Sequence, residues 1–169
     1  RGIASRLNLL FIDTGAMYRA ATLAALRAGL NLDDQEATTA LVRESDIRLE
    51  KTEEGLRTFL NGEDVSEEIR SPEVSRGTSP ISETAGIRTR LVDLQRAMGR
   101  RGGVVMEGRD IGTVVFPDAD FKFFLAAEPD ERARRRFMEQ QSRGIAQSME
   151  EVKADLLERD RRDSTRAVA

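Results

Sequence analysis

The chain has 169 residues, 39% hydrophobic and 34% charged, enough for one domain with a sizeable core and a small inserted lobe. It contains no cysteine and no histidine, which excludes disulfides, thiolate nucleophiles, cysteine metal sites and the commonest general base. A net charge of −3 argues against a general nucleic-acid binder, and no apolar run approaches the roughly 18 residues that span a bilayer.

Chemistry here must therefore rest on carboxylates, arginines, hydroxyls and backbone groups. The first residues lack the pattern of a signal peptide, so composition alone reads as a cytoplasmic α/β protein.

Residues 1–7 have helical character, and Leu9-Leu10-Phe11-Ile12 suits a short buried strand. Asp13-Thr14-Gly15 breaks it, and residues 17–28, rich in alanine and leucine, predict a helix stopped at Gly29. A helix feeding a buried parallel strand normally follows an earlier strand, so the chain reads as starting partway through a βαβ unit. A helix over 33–45 leads to the alternating segment 46–50. Arg57-Thr58-Phe59-Leu60 then runs into Asn61-Gly62, a strong hairpin turn signal, and the whole reads as a small antiparallel lobe. Residues 73–98 are mostly helical, with a break expected near Ser79-Pro80. Val104-Val105-Met106 predicts a second buried strand, and residues 121–125 (FKFFL) a third. Pro129 suits the first turn of the next helix, and residues 148–165 form a last, highly charged one.

Three strand ends carry polar clusters: Asp13-Thr14, Glu107-Gly108-Arg109-Asp110, and residues 126–136. Ligands of open parallel sheets bind beyond the carboxyl ends of the strands, and arginines with carboxylates there suit a phosphate-bearing ligand. Any one cluster would serve equally as helix caps and surface ion pairs; three together favour the ligand. On the last helix Arg159, Arg162, Asp163 and Arg166 fall at i, i+3, i+4 and i+7, on one stripe. A solvated face also shows such runs, but three arginines to one aspartate is a poor balance for one. A guanidinium suits bidentate grip of phosphate oxygens. Arg132 and Arg136 repeat the i, i+4 spacing one helix earlier.

Four segments resemble bacterial cytidylate kinases. Ile12-Asp13-Thr14-Gly15-Ala16-Met17-Tyr18-Arg19 is similar to their nucleotide-gripping segment, and Leu60-Asn61-Gly62-Glu63-Asp64-Val65-Ser66 with Ile69-Arg70 to their inserted lobe. Residues 107–117 (EGRDIGTVVFP) resemble their most recognisable signature, and residues 159–163 (RDRRD) with Arg166-Ala167-Val168 their closing motif. The match runs in order over essentially the whole chain. The family's G-x-x-x-x-G-K-[ST] phosphate loop, expected just before Arg1, and a strand and helix expected after Ala169 are outside this sequence. A chain truncated at both ends is the expectation: without catalysis by itself, poorly soluble, and able at most to bind CMP.

The resemblance implies a phosphate-loop nucleoside monophosphate kinase fold: a parallel sheet with helices on both faces plus the antiparallel lobe. Residues 1–35 and 84–169 would form the core, with a lid at about 132–155, and 36–83 the acceptor lobe. Asp13, Thr14 and Tyr18 would line the acceptor site, with Arg19 and Arg109 on its phosphate. Ser79 and Arg88 would read the cytosine edge, Asp110 and Asp163 would contact sugar and base, and Arg159 and Arg166 would approach sugar and phosphate. Arg132 and Arg136 resemble lid arginines and, with Arg162, would be catalytic. No metal ligand is expected from the chain; Mg²⁺ would come with ATP. The implied reaction is phosphoryl transfer from ATP to CMP or dCMP in the cytoplasm, by a monomer with no nucleic-acid or membrane partner. A kinase of UMP, AMP or shikimate, and a CMP-binding module without catalysis, are the alternatives.

Overall fold

The computed structural model describes residues 1–53, 55–100 and 102–165. The chain divides into two compact units, the first Arg1–Ala119 and the second opening at Asp120.

The first unit begins with α1 (Gly2–Arg6), β1 (Leu10–Asp13) and α2 (Thr14–Arg27). Asp13 caps α2 by accepting the Ala16 amide at 3.2 Å, which starts the helix directly at the strand's end. At the other end Gly29 takes φ +67°, the left-handed stop that glycine permits. After α3 (Gln35–Glu44) come β2 (Ile47–Thr52), β3 (Gly55–Leu60) and β4 (Glu63–Asp64), an antiparallel sheet in that order. The β3–β4 turn has Asn61 at φ 51° and Gly62 at φ 86°, the pair of positive angles of a two-residue hairpin. Asn61 also ties the turn back, its Oδ1 accepting the Asp46 amide at 2.9 Å.

A 3₁₀ turn (Glu68–Arg70) leads to α4 (Pro72–Glu83) and α5 (Ala85–Gly99), then β5 (Val104–Glu107) and a single π turn (Ile111–Val115). The break expected near Ser79-Pro80 is displaced. Helix α4 runs through Pro80 and ends at Thr84, whose ψ of 113° is extended. Proline removes one backbone donor. Buried Val74, Gly77, Thr78, Ser79 and Ile81 hold that stretch helical regardless.

Strands β1 and β5 pair in parallel, Leu10 opposite Val104 through to Asp13 opposite Glu107. Ninety residues of helix and antiparallel sheet separate them in sequence, as a parallel crossover requires. Strand β5 is half-buried rather than buried. The core gathers around α2, where Ala16, Met17, Ala20, Ala21, Leu23 and Ala25 are nearly inaccessible and meet Val42, Ile47, Leu60, Ile69, Val74, Ile81, Ile87 and Leu91. Its alanines and Gly77 let helices approach closely: a Cβ on Gly77 would lie 2.6 Å from Leu32 Cδ1 and 2.9 Å from Thr22 Cγ2. Each fully buried isoleucine here contributes about 2 kcal/mol of transfer free energy.

The second unit holds α6 (Pro129–Ser142) and α7 (Met149–Thr165). Pro129 occupies the first turn of α6, as the sequence indicates. Gly144 at φ +71° closes that helix, with the Ile145 amide returning to the Gln140 carbonyl at 3.0 Å. Ser148 and Glu151 begin α7 with a reciprocal capping box of 3.2 and 2.8 Å. The two helices pack as a hairpin, Lys153 paired with Asp130 and Arg132 with Asp160. The strand expected at 121–125 is absent. Those residues carry no regular structure and pair with no strand among the described residues, and Phe121, Phe123, Phe124 and Leu125 are 78–95% exposed. A strand exists only by sharing backbone hydrogen bonds, and apolar composition alone supplies none.

Candidate active site

The register of the parallel pair brings Asp13 and Glu107 opposite each other at the carboxyl ends of their strands. Thr14 staples the two ends: its hydroxyl, 3% exposed as a residue, donates to the Glu107 carbonyl at 2.9 Å. Asp13 both caps α2 and pairs with Arg19 at 3.0 Å, so one carboxylate fixes a helix start and aims a guanidinium. Gly15 lies inside this arrangement. A Cβ there would stand 3.1 Å from Asp13 Oδ1 and 3.2 Å from Arg19 Nη1. Gly108, just beyond β5, is more tightly constrained, with a Cβ falling 2.4 Å from Thr14 Oγ1.

Three residues on from Glu107, at most about 11 Å of chain, Asp110 meets Arg88 of α5 in a charge-assisted hydrogen bond. The side chains are 5% and 12% exposed. Arg88 also donates to the Ser82 carbonyl at 3.3 Å, while the Ser82 hydroxyl donates to the Ser79 carbonyl at 2.9 Å. Ser79 and Arg88, nine residues apart on successive helices, are thus joined through Ser82. Arg109 is exposed, and Tyr18 belongs to the apolar core, 9% exposed.

In the second unit Arg132 forks onto Asp160 at 2.5 and 2.9 Å. That hydrogen bond, against some desolvation, holds the guanidinium's pKa above its ordinary value. Arg136 pairs with Glu139 at 3.1 Å, Arg162 with Glu158 at 2.8 Å, and Arg159 with Asp163 at 3.9 Å. Arg166 lies outside the described residues. On the stripe of α7, Arg162 is therefore offset by Glu158, whereas Asp160 neutralises Arg132 of α6. Glu158 and Arg162 are i, i+4 and could have been found by spacing; Asp160 needs the facing helix.

Sequence reasoning also passes over Glu107's carbonyl and Ser82, because backbone acceptors carry no residue signature. A concavity of about 360 Å³ near the C-terminal end of α2, lined in part by Ala24, Arg27, Leu41, Leu60 and Glu63, contains none of the sequence-derived site residues. Among the described residues no three His, Cys, Asp or Glu side chains converge to hold a metal ion, and no helix is long and apolar enough to cross a membrane.

A sequence model of the cytidylate kinase family matches residues 1–169. The chain belongs to the cytidylate kinase family. It is 52% identical over 168 residues to a cytidylate kinase of Pelotomaculum thermopropionicum, covering 99% of this chain and 74% of that one. It is 49% identical over 164 residues to a cytidylate kinase of a Geobacter species, covering 97% and 70%. A bifunctional pantoate ligase/cytidylate kinase of a Synechococcus species is 48% identical over 172 residues, all of this chain but 32% of that longer protein. Membership of the cytidylate kinase family makes the chain a nucleoside monophosphate kinase sequence, and the mixed α/β fold with its parallel and antiparallel sheets fits that class. The rival acceptors and the purely binding module are not favoured by these matches.

Proposed function

We propose that this chain serves phosphoryl transfer from ATP to CMP or dCMP, giving CDP or dCDP. The observation that supports the site assignment is the largely buried Arg88–Asp110 pair with Ser79 joined to it through Ser82. Cytosine offers an amino donor at N4 and acceptors at N3 and O2, so a selective wall needs an acceptor and a donor. Ser79 can supply the first and the remaining N–H groups of the Arg88 guanidinium the second. Asp110, by fixing one edge of that guanidinium, would set which edge faces the base.

Asp13, Thr14, Tyr18, Arg19, Arg109, Arg159, Asp163 and Arg166 complete the proposed acceptor set. Arg132, Arg136 and Arg162 would neutralise the transferring group. In this reading residues 36–83 act as the acceptor lobe and about 132–155 as the lid. A histidine is unnecessary: a nucleoside monophosphate is largely a dianion at neutral pH, its second pKa being about 6. Its oxygen attacks without a general base, and catalysis is positioning and charge neutralisation.

Mg²⁺ is proposed to accompany ATP, held largely by phosphate oxygens as is usual in kinases. The described side chains of this chain do not fit a protein cage for it. The reading takes the enzyme as cytoplasmic and monomeric, with nucleotides as its partners. Turnover of CMP, dCMP, UMP and AMP by the purified full-length enzyme with ATP and Mg²⁺ tests it. CMP and dCMP are expected to be the good acceptors; efficient use of AMP with none of CMP would overturn the reading.

A further inference from the structure

Helix α5 holds the segment after β5 at more than one point. Besides the Arg88–Asp110 pair, Arg96, two turns along the same helix, donates from Nη2 to the Val114 carbonyl at 2.7 Å and from Nε to the Val115 carbonyl at 3.1 Å. Between these contacts lies the single π turn of Ile111–Val115. Its internal bonds run back to the Asp110 carbonyl, which accepts the Val114 amide at 2.8 Å. Hydrogen bonds at the carbonyl and amide of Val114 and at the carbonyl and carboxylate of Asp110 therefore connect Arg96 to Arg88 through these two residues. One turn beyond, Gly99 of α5 faces the Phe116 ring so closely that a Cβ would lie 2.5 Å from Cζ.

A lone turn of five residues cannot maintain itself, because nucleation costs more than one or two hydrogen bonds return. Its last carbonyls have no partner within the turn and carry the negative end of its dipole. Arg96 supplies both a forked donor and a positive charge at that end. We infer that Arg96 is a positioning residue for the acceptor site: it holds the turn that orients the Asp110 carboxylate, and through Asp110 the edge of Arg88 offered to the acceptor base. This rests on the acceptor-site reading given above. Arg96 is itself exposed and its hydrogen bonds end on the Val114 and Val115 carbonyls, so it acts on Asp110 through the turn.

The test uses the full-length enzyme with Arg96→Ala and Arg96→Lys. Loss of the fork is expected to raise the acceptor KM on the order of tenfold while the ATP KM stays within about twofold. Guanidinium ion added to Arg96→Ala should lower the acceptor KM again, and lysine, a single point donor, should restore it only in part. Combined with Arg88→Met, Arg96→Ala should add less than about twofold, since both act on one unit. An acceptor KM unchanged in Arg96→Ala, an equal rise in both substrates' KM, or fully multiplicative effects in the double variant would each overturn the inference. If Arg96→Ala does not fold, Arg96→Gln is read in the same way. If the parent enzyme ignores CMP, the function reading falls by itself, and Arg96 is judged on the acceptor the enzyme does use.

Discussion

Arg88 of α5 donates to the Asp110 carboxylate just beyond β5, and the two side chains are 5% and 12% exposed. Removing one partner of such a pair leaves the other charge poorly compensated, a loss of about 3–5 kcal/mol when burial is complete. Here the Asp110 end keeps some solvent, so Asp110→Asn is expected to cost about 2 kcal/mol. In a protein of this size that lowers Tm by about 4–8 °C. Thermal unfolding followed by circular dichroism measures it, and an unchanged Tm would show the pair to be energetically idle.

Arg88→Met separates structure from recognition. If the guanidinium reads cytosine, the base's acceptors lose their donor at a cost on the order of 1–3 kcal/mol. CMP kcat/KM should then fall roughly tenfold to hundredfold with the ATP KM nearly unchanged. A CMP efficiency within about twofold of the parent would show that Arg88 does not face the base.

Thr14 offers a test of the strand ends. Thr14→Val keeps the shape but leaves the Glu107 carbonyl without the donor that reaches it at 2.9 Å. The expected loss is about 1–2 kcal/mol, with faster amide exchange across the Leu10–Asp13 and Val104–Glu107 ladder. Thr14→Ser, which retains the hydroxyl, should behave nearly as the parent; a serine variant as unstable as the valine one would move the cause from the hydrogen bond to packing.

Much of this arrangement was legible in the sequence where a local rule decides it. Gly29 is a helix stop, Asn61-Gly62 a hairpin turn and Pro129 a first-turn residue, and each stands where its chemistry puts it. Asp13, by sequence a strand break before a helix at 17, is itself the cap of a helix that starts at Thr14. Reading failed where the outcome depends on distant partners. Pro80 looks like a breaker, but the buried face of α4 overrides it. Residues 121–125 look like a strand, yet apolar side chains do not supply the neighbouring backbone that a strand needs. The candidate residues were named through family motifs; what the sequence could not show is how they are held. The Thr14–Glu107 staple, the Ser82 link and the Arg96 fork all end on backbone carbonyls, which no residue pattern marks.

Gly86, in the first turn of α5, faces Thr39 of α3 at a distance that admits no side chain. A Cβ there would lie 2.5 Å from Thr39 Cγ2, 2.8 Å from Oγ1 and 3.3 Å from Cβ. Alanine normally improves a helix by up to about 1 kcal/mol over glycine. Gly86→Ala should nevertheless destabilise, since overpacking costs about 1–3 kcal/mol and the obstruction sits on a short branched side chain. Thr39→Ala removes the two nearest atoms, so the double variant should regain most of the loss in denaturant unfolding. A Gly86→Ala protein more stable than the parent would mean that α3 and α5 separate freely.

The charged helices of the second unit should titrate well below the usual carboxylate range. Glu131 hydrogen-bonds Arg134 and Arg135, and Glu158 hydrogen-bonds Arg161 and Arg162; these bonds lower each carboxyl from 4.5 to about 2. A carboxyl whose pKa is depressed in the folded state stabilises that state above its unfolded pKa and loses the contribution as pH falls through the folded one. The window is therefore from about pH 4.5 down to about 2. Glu158 is exposed and Glu131 is partly so, which keeps the contribution small and lets salt weaken it further. The direct measurement is the carboxyl ¹³C titration of the two glutamates by NMR, with Glu131→Gln and Glu158→Gln for assignment. At low ionic strength both midpoints should lie far below 4.5 and move upward when salt is added. Midpoints near 4.5 at low salt would show that the arginines turn to solvent and that these pairs do not hold the carboxylates in the folded protein.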